Sequence, residues 1–123
     1  MNLILKRQSD IMRQMTVTCG EVDMILGTKD YDNLNVAVCP NIKPTIGHYH
    51  PLFDEIYFVL DGWIELKTYD PTTDTYAENR LESEELALIP AGMHHKVTAA
   101  SDTNRLCVLM IPGFLGEVPS DKL

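Results

Sequence analysis

No stretch of this sequence approaches the roughly 18–20 consecutive apolar residues that carry a helix across a bilayer. The opening Met1-Asn-Leu-Ile-Leu-Lys-Arg places its charges after a very short apolar patch. A secretory signal has the reverse order and a longer apolar core, so the expected location is cytoplasmic. Basic residues are scarce: 10 Lys and Arg stand against 18 Asp and Glu, a formal net charge of −8. So acidic a surface repels phosphate backbones and argues against nucleic acid or an anionic membrane as partner. Cysteine is limited to Cys19, Cys39 and Cys107, widely spaced and without a C-x-x-C pair. That excludes a disulfide framework and a zinc knuckle, and reads as reduced thiols in a core. Repeats, linkers and low-complexity tracts are also missing. What remains, 123 residues with 45% apolar and 23% charged side chains, reads as a single globular domain over 1–123.

The text along the chain is that of an all-β protein. Residues 5–15 mix polar and apolar side chains and suit short helical turns in an N-terminal arm, 1–15. Strand-like segments follow at Thr16–Cys19, Glu21–Leu26, Leu34–Cys39, Glu55–Leu60, Trp63–Tyr69, Leu86–Ile89, His95–Ala99 and Arg105–Ile111. Short strands at close intervals, punctuated by Gly, Pro and Asp, indicate a sandwich or barrel. The barrel core is expected over about 16–112, with a C-terminal tail at 113–123 that either caps the barrel mouth or covers an outer face. Nothing alternates with long helical patterns, which excludes a parallel βαβ sheet.

Asp61-Gly62 is the preferred dipeptide of a type I′ hairpin. It predicts Leu60 paired with Trp63, one face carrying Glu55, Tyr57, Val59, Ile64, Leu66 and Thr68, and the other carrying Ile56, Phe58, Leu60, Trp63, Glu65 and Lys67. Both faces are apolar near the turn. One belongs in the protein's own core, and the other calls for a cover, either a second copy in a homodimer or a terminal arm.

The four histidines fall in two pairs, His48/His50 and His94/His95, each beside a turn. Residues two apart on a strand share a face, with about 6.6–6.8 Å between their backbones, so His48 and His50 can converge on one ion. Glu55 opens the next strand. A turn or bulge over Pro51–Asp54 must reset the parity for it to face inward with Tyr57 and Val59. A carboxylate on an apolar face needs a partner or a cation. The tight turn Pro90-Ala91-Gly92 returns a further imidazole toward the interior, and strand register decides whether that is His94 or His95.

These residues resemble the two motifs of the cupin family. His48-Tyr49-His50, then Glu55, then Gly62 is similar to the first motif; Pro90-Ala91-Gly92-Met93-His94-His95 is similar to the second, Pro-x-Gly-x-x-His. The likeness covers about residues 35–112. It departs at backbone positions: the glycine that opens the first motif is Ile42, with Gly47 beside His48 instead. The one that opens the second is Glu84, and the asparagine that often ends it is Ala99. The resemblance implies a double-stranded β-helix, a jelly-roll barrel that is often dimeric, holding one divalent metal through His48, His50, Glu55 and His95. It leaves His94 at the surface or rim. Three nitrogens and one oxygen without thiolate suit Fe(II) first, then Mn(II) or Ni(II), with Co(II), Cu(II) and Zn(II) also compatible. An octahedral ion keeps two positions open, and its residual positive charge beside Glu55 favours an enolate, carboxylate or hydroxyl oxygen.

Three functions compete on such a site. The first is a metal-dependent oxygenase acting on a small enolic or phenolic molecule. The second is a redox-neutral isomerase, lyase or cyclase, and the third a non-enzymatic sensor of a sugar-like metabolite. Tyr57 is the catalytic candidate, as proton donor or substrate-orienting group. Val59, Ile64 and Leu66 are expected to line the pocket, with Met93 at its mouth. One alternate set of the last strand, Leu106/Val108/Met110 or Cys107/Leu109/Ile111, should join them. Asp54 is expected to point outward, and Glu82–Glu85 to form a solvated turn.

Overall fold

The computed structural model describes all of residues 1–123. Its strands are β1 (Met12–Thr16), β2 (Gly20–Leu26), β3 (Asn35–Pro40), β4 (His48–Tyr49), β5 (Asp54–Asp61), β6 (Ile64–Asp70), β7 (Thr75–Leu81), β8 (Leu86–Ile89), β9 (His94–Ala100), β10 (Arg105–Ile111) and β11 (Val118–Pro119). All paired strands are antiparallel and form two sheets, ordered β1-β2-β3-β10-β5-β8 and β11-β4-β9-β6-β7. This is the expected all-β jelly-roll architecture. No helix is long and apolar enough to cross a membrane.

Several local expectations change. The only helical turn is a 3₁₀ turn at Gln8–Asp10. Met12–Thr16, placed in the arm by its mixed composition, is a strand paired with β2, and most of the expected strand Thr16–Cys19 is the turn that joins them. Strand β7 carried no apolar signal because six of its seven residues are exposed; it is an edge strand held by pairing with β6.

Asp61-Gly62 is not a hairpin turn. β5 lies in one sheet and β6 in the other, so the chain crosses between sheets there and Leu60 does not pair with Trp63. A type I′ turn needs positive φ at both central residues, and only Gly62 has it, at +78°. Glycine is required for a second reason. A Cβ at this position would sit 2.6 Å from the Thr103 carbonyl oxygen and 2.9 Å from Asn104 Cβ. The 101–104 loop packs against the crossing, and Trp63 N–H donates to Ser101 Oγ at 3.0 Å. The face assignment survives because each strand keeps its own alternation: Glu55, Tyr57, Val59, Ile64 and Leu66 are buried between the sheets.

On the outside, Trp63 is covered by the Arg80 guanidinium of β7, 3.6 Å from its ring centroid. Ile56 and Phe58 are half-buried beside Leu88 and Leu86 of β8, which stay 57% and 55% exposed. The last strand turns Leu106, Val108 and Met110 inward and Cys107 and Leu109 outward. Cys107 is therefore a half-buried outer residue and not a core thiol.

Candidate metal centre

The two histidine-bearing segments meet because their backbones are stitched together. His48 pairs directly with His95 across β4 and β9. The His50 carbonyl accepts the Gly92 N–H at 2.8 Å, and outward-facing Asp54 accepts the Ala91 N–H at 2.9 Å. The parity reset between His50 and Glu55 is a change of sheet: His48 and His95 lie on the five-stranded sheet with His50 just past the end of β4, and Glu55 lies on the six-stranded one. Glu55 stands on β5 between Ile89 and Met110, and the four side chains converge across the interior.

The rings of His48, His50 and His95 have centroid separations of 4.4, 4.9 and 5.3 Å, and one nitrogen from each lies within 4.8 Å of the others. Each Nδ1 faces a backbone carbonyl: Ile46 at 2.8 Å for His48, Gly116 at 3.2 Å for His50 and Met93 at 3.1 Å for His95. A carbonyl can only accept, so each Nδ1 carries a proton and donates it. The neutral ring then presents an Nε2 lone pair to the centre, the tautomer that metal ligation needs. Glu55 Oε1 sits 3.1 Å from His95 Nε2 and 3.5 Å from His50 Nε2. His50 Nε2, His95 Nε2 and Glu55 Oε1 are the buried side-chain polar atoms with no hydrogen-bond partner. Native interiors rarely leave such atoms unpaired. Their convergence fits a divalent cation, and the nitrogens of His48, His50 and His95 form a group that could hold one.

Burial, reinforced by the neighbouring His95, lowers the His48 pKa to about 4. Burial opposes charge on Glu55 as well, but contacts with His50 and His95 outweigh it and hold the carboxyl at about 2. For His50, burial lowers the pKa and the Glu55 contact more than reverses this. The centre therefore keeps an ionised Glu55 carboxylate and a neutral His48 imidazole, states that suit a divalent metal.

A cavity of about 190 Å³ opens over His48, His50 and Glu55. Val22, Met24, Ala37, Val108 and Met110 form an apolar wall; Gln14, Thr16, Thr18 and Glu117 supply polar groups toward the rim. Tyr57 is 2% exposed and stands behind the centre, edge-on to His95 at 5.8 Å, with its pKa raised by burial and by Glu55. Tyr57, Val59, Ile64 and Leu66 are core residues that do not line this cavity, and Met93 packs against the same core. His94 is not a surface residue. It is 9% exposed on the outer side of the sheet, stacked on Tyr49 at 4.3 Å, with Nδ1 at 2.6 Å from Ser120 Oγ.

Sequence reasoning missed the contribution of β1 and the β1–β2 turn, and left the tail between two places, the barrel mouth and an outer face. Cys19 and Cys39 both line the cavity, and their mutual contact lowers the Cys19 pKa while raising that of Cys39. The tail caps the mouth, with Phe114 against His50 and Phe53 at 6.1 and 5.6 Å. No local pattern marks Glu117, a lone acid between Gly116 and Val118.

No family model and no curated protein sequence matches this chain. Solved structures do. Oxalate decarboxylase from Bacillus subtilis at pH 4.6 superposes with a TM-score of 0.75 at 14% identity, over 90% of this chain and 30% of that one. The formate complex of the Lactobacillus farciminis enzyme gives 0.74 at 12% identity, over 93% and 35%. A Bacillus subtilis structure studied for its Mn(II) centres gives 0.73 at 15% identity, over 88% and 29%. The chain thus spans about a third of the length of these proteins, and what it shares with them is the cupin fold.

Proposed function

We propose that this chain holds one divalent metal through His48, His50, Glu55 and His95 and uses it to act on a small organic molecule, most simply as a non-haem iron-type oxygenase. The carrying observation is the set of three unpartnered buried atoms, His50 Nε2, His95 Nε2 and Glu55 Oε1, beside an apolar cavity that His50 and Glu55 line. A bound metal would act there as a Lewis acid with positions open to substrate or O₂. The chain's own residues do the rest. The Ile46, Gly116 and Met93 carbonyls fix the imidazoles in one tautomer. The apolar wall excludes water, which strengthens every electrostatic contact at the floor. At about 190 Å³ the cavity lies below the roughly 300–1,000 Å³ of drug-sized pockets, which restricts the ligand to a small molecule. Tyr57, behind His95, suits support of that ring and of the Glu55 charge better than contact with substrate.

A redox-neutral reaction is the second reading, favoured by the fold shared with oxalate decarboxylases, one of them characterised through Mn(II) centres. On this reading a metal held by these residues would supply Lewis-acid stabilisation of negative charge on oxygen, with no redox step. One experiment separates the two. Protein purified without added metal is analysed for its elements, loaded with Fe(II) without oxygen, then exposed to O₂ with small enediols, catechols and dicarboxylates. Oxygen consumption tied to substrate supports the oxygenase. Turnover without O₂, retained with redox-inert zinc, supports the second reading. Full metal occupancy with every ligand recovered unchanged would point to a binding module.

A further inference from the structure

The C-terminal segment crosses the mouth of the metal cavity and is fixed at both ends. The Phe114 N–H donates to the Oδ1 of buried Asn35 at 3.0 Å, and the Ser120 N–H donates to the Gly47 carbonyl at 2.9 Å. Val118 and Pro119 pair with Tyr49 and His48. Between these anchors the segment touches the centre twice. The Gly116 carbonyl accepts from His50 Nδ1, and Glu117 Oε2 lies 3.9 Å from His48 Nε2. The Thr18 hydroxyl donates to that same carboxylate oxygen at 3.3 Å.

Two carboxylates therefore flank the three imidazoles: Glu55 contacts His50 and His95, and Glu117 contacts His48. The His48 proton is on Nδ1, donated to the Ile46 carbonyl, so its Nε2 offers a lone pair. A lone pair facing a carboxylate oxygen is repulsive unless a cation lies between them. Donor atoms bound at about 2.1 Å stand about 3 Å apart when adjacent and about 4.2 Å apart when opposite. The Glu55 spacings of 3.1 and 3.5 Å and the Glu117 spacing of 3.9 Å fall in that interval, while only the three imidazoles are all mutually close, so binding would draw the carboxylates inward.

We propose that Glu117 is a fifth protein ligand of the divalent metal, carried to it by the C-terminal segment. This rests on the metal reading above. The resting centre then has three nitrogens and two carboxylate oxygens, its charge sums to zero, and one position of an octahedron is left for water. The two carboxylates differ in exchangeability. Glu55 is sealed in the core, whereas Glu117 is about one-third exposed and held only by Thr18. An anionic substrate oxygen would displace Glu117 and leave Glu55 in place.

The test uses Mn(II) on the full chain, comparing wild type, Glu117→Gln, Glu117→Asp and Glu55→Ala by chelator competition and water-proton relaxation. Glu117→Gln should open a second water position, raising the inner-sphere relaxivity about twofold and weakening Mn(II) about tenfold, a loss typical of perturbed metal sites. Glu117→Asp, one methylene short, should behave alike. Because the tail anchors do not involve the Glu117 side chain, the metal-free variants should melt with the metal-free wild type. Unchanged relaxivity and affinity in both Glu117 variants, with metal lost in Glu55→Ala, would overturn the proposal and leave the four-ligand reading standing. A folded wild type that takes up no Mn(II), Fe(II) or Co(II) would overturn both.

Discussion

His48 and His95 face each other across a single antiparallel pairing of β4 and β9, their ring centroids 4.4 Å apart. Neither strand end could orient its imidazole alone. The pairing, the Gly92-to-His50 hydrogen bond and the carbonyls behind each Nδ1 together hold the nitrogens at one point before any metal arrives. Such preorganisation has measurable consequences.

Metal binding should stabilise the fold strongly. A ligand at 100 times its dissociation constant adds about 2.7 kcal/mol. For a domain of this size that corresponds to a rise of roughly 10 °C in Tm. Chelator-treated protein should lose this increment and regain it with Fe(II) or Mn(II). His48→Ala and Glu55→Ala should show little metal response, as read by calorimetry beside elemental analysis. Wild-type metal content in both variants would show the ligand assignment to be wrong.

Acid should destabilise the metal-free protein in a defined window. His48 titrates near 4 when folded, against about 6.5 in an open chain. Between those values the unfolded state binds more protons, so stability falls as pH drops from about 6.5 to 4, by about 3 kcal/mol at most. His94, also lowered by burial, acts in the same sense. Glu55 extends the loss below about 4.5 toward its folded value of about 2. His50, raised by Glu55, works the other way, its contribution fading as pH rises above 6.5. Urea titrations of chelated wild type and His48→Gln at pH 7 and pH 4.5 check this. The variant should lose less stability over that interval, and equal losses would count against the buried neutral imidazole.

Two glycines with similar positive φ should respond differently to alanine. At Gly92, φ is +88° and the space for a Cβ is open, so Gly92→Ala should cost about 1 kcal/mol from backbone strain alone. At Gly62 the Cβ would also press on Thr103 and Asn104. Asn104 is 2% exposed and bonds both the N–H and the carbonyl of Ile42, at 2.9 and 3.0 Å. Gly62→Ala should therefore cost about 2–4 kcal/mol. Chemical denaturation measures both, and equal costs would mean that the crossing tolerates displacement of the 101–104 loop.

The exposed row of Leu86 and Leu88, beside half-buried Ile56 and Phe58, is the part of the outer surface for which a second copy of the chain is the expected cover. Wild-type protein should sediment as a dimer at micromolar concentration, and Leu86→Lys with Leu88→Lys as a folded monomer. A monomeric wild type would remove this expectation.

The amino-acid order by itself determined the all-β class, the inward alternation along β5 and β6, and the pairing of two histidine clusters with one glutamate. Strand periodicity and turn residues are local, and a buried carboxylate without a cation is costly wherever it occurs. It could not show that Asp61-Gly62 is a crossing between sheets, because a dipeptide that favours positive φ serves a hairpin and a corner equally well. Nor could it reveal β7, whose exposed side chains leave no periodicity, or β11, a two-residue strand at the end of a loop. Only the tertiary structure placed Glu117 against His48, a contact made by a tail anchored on Asn35 and Gly47. A lone acid has no pattern, and its meaning lies in what long-range packing sets beside it.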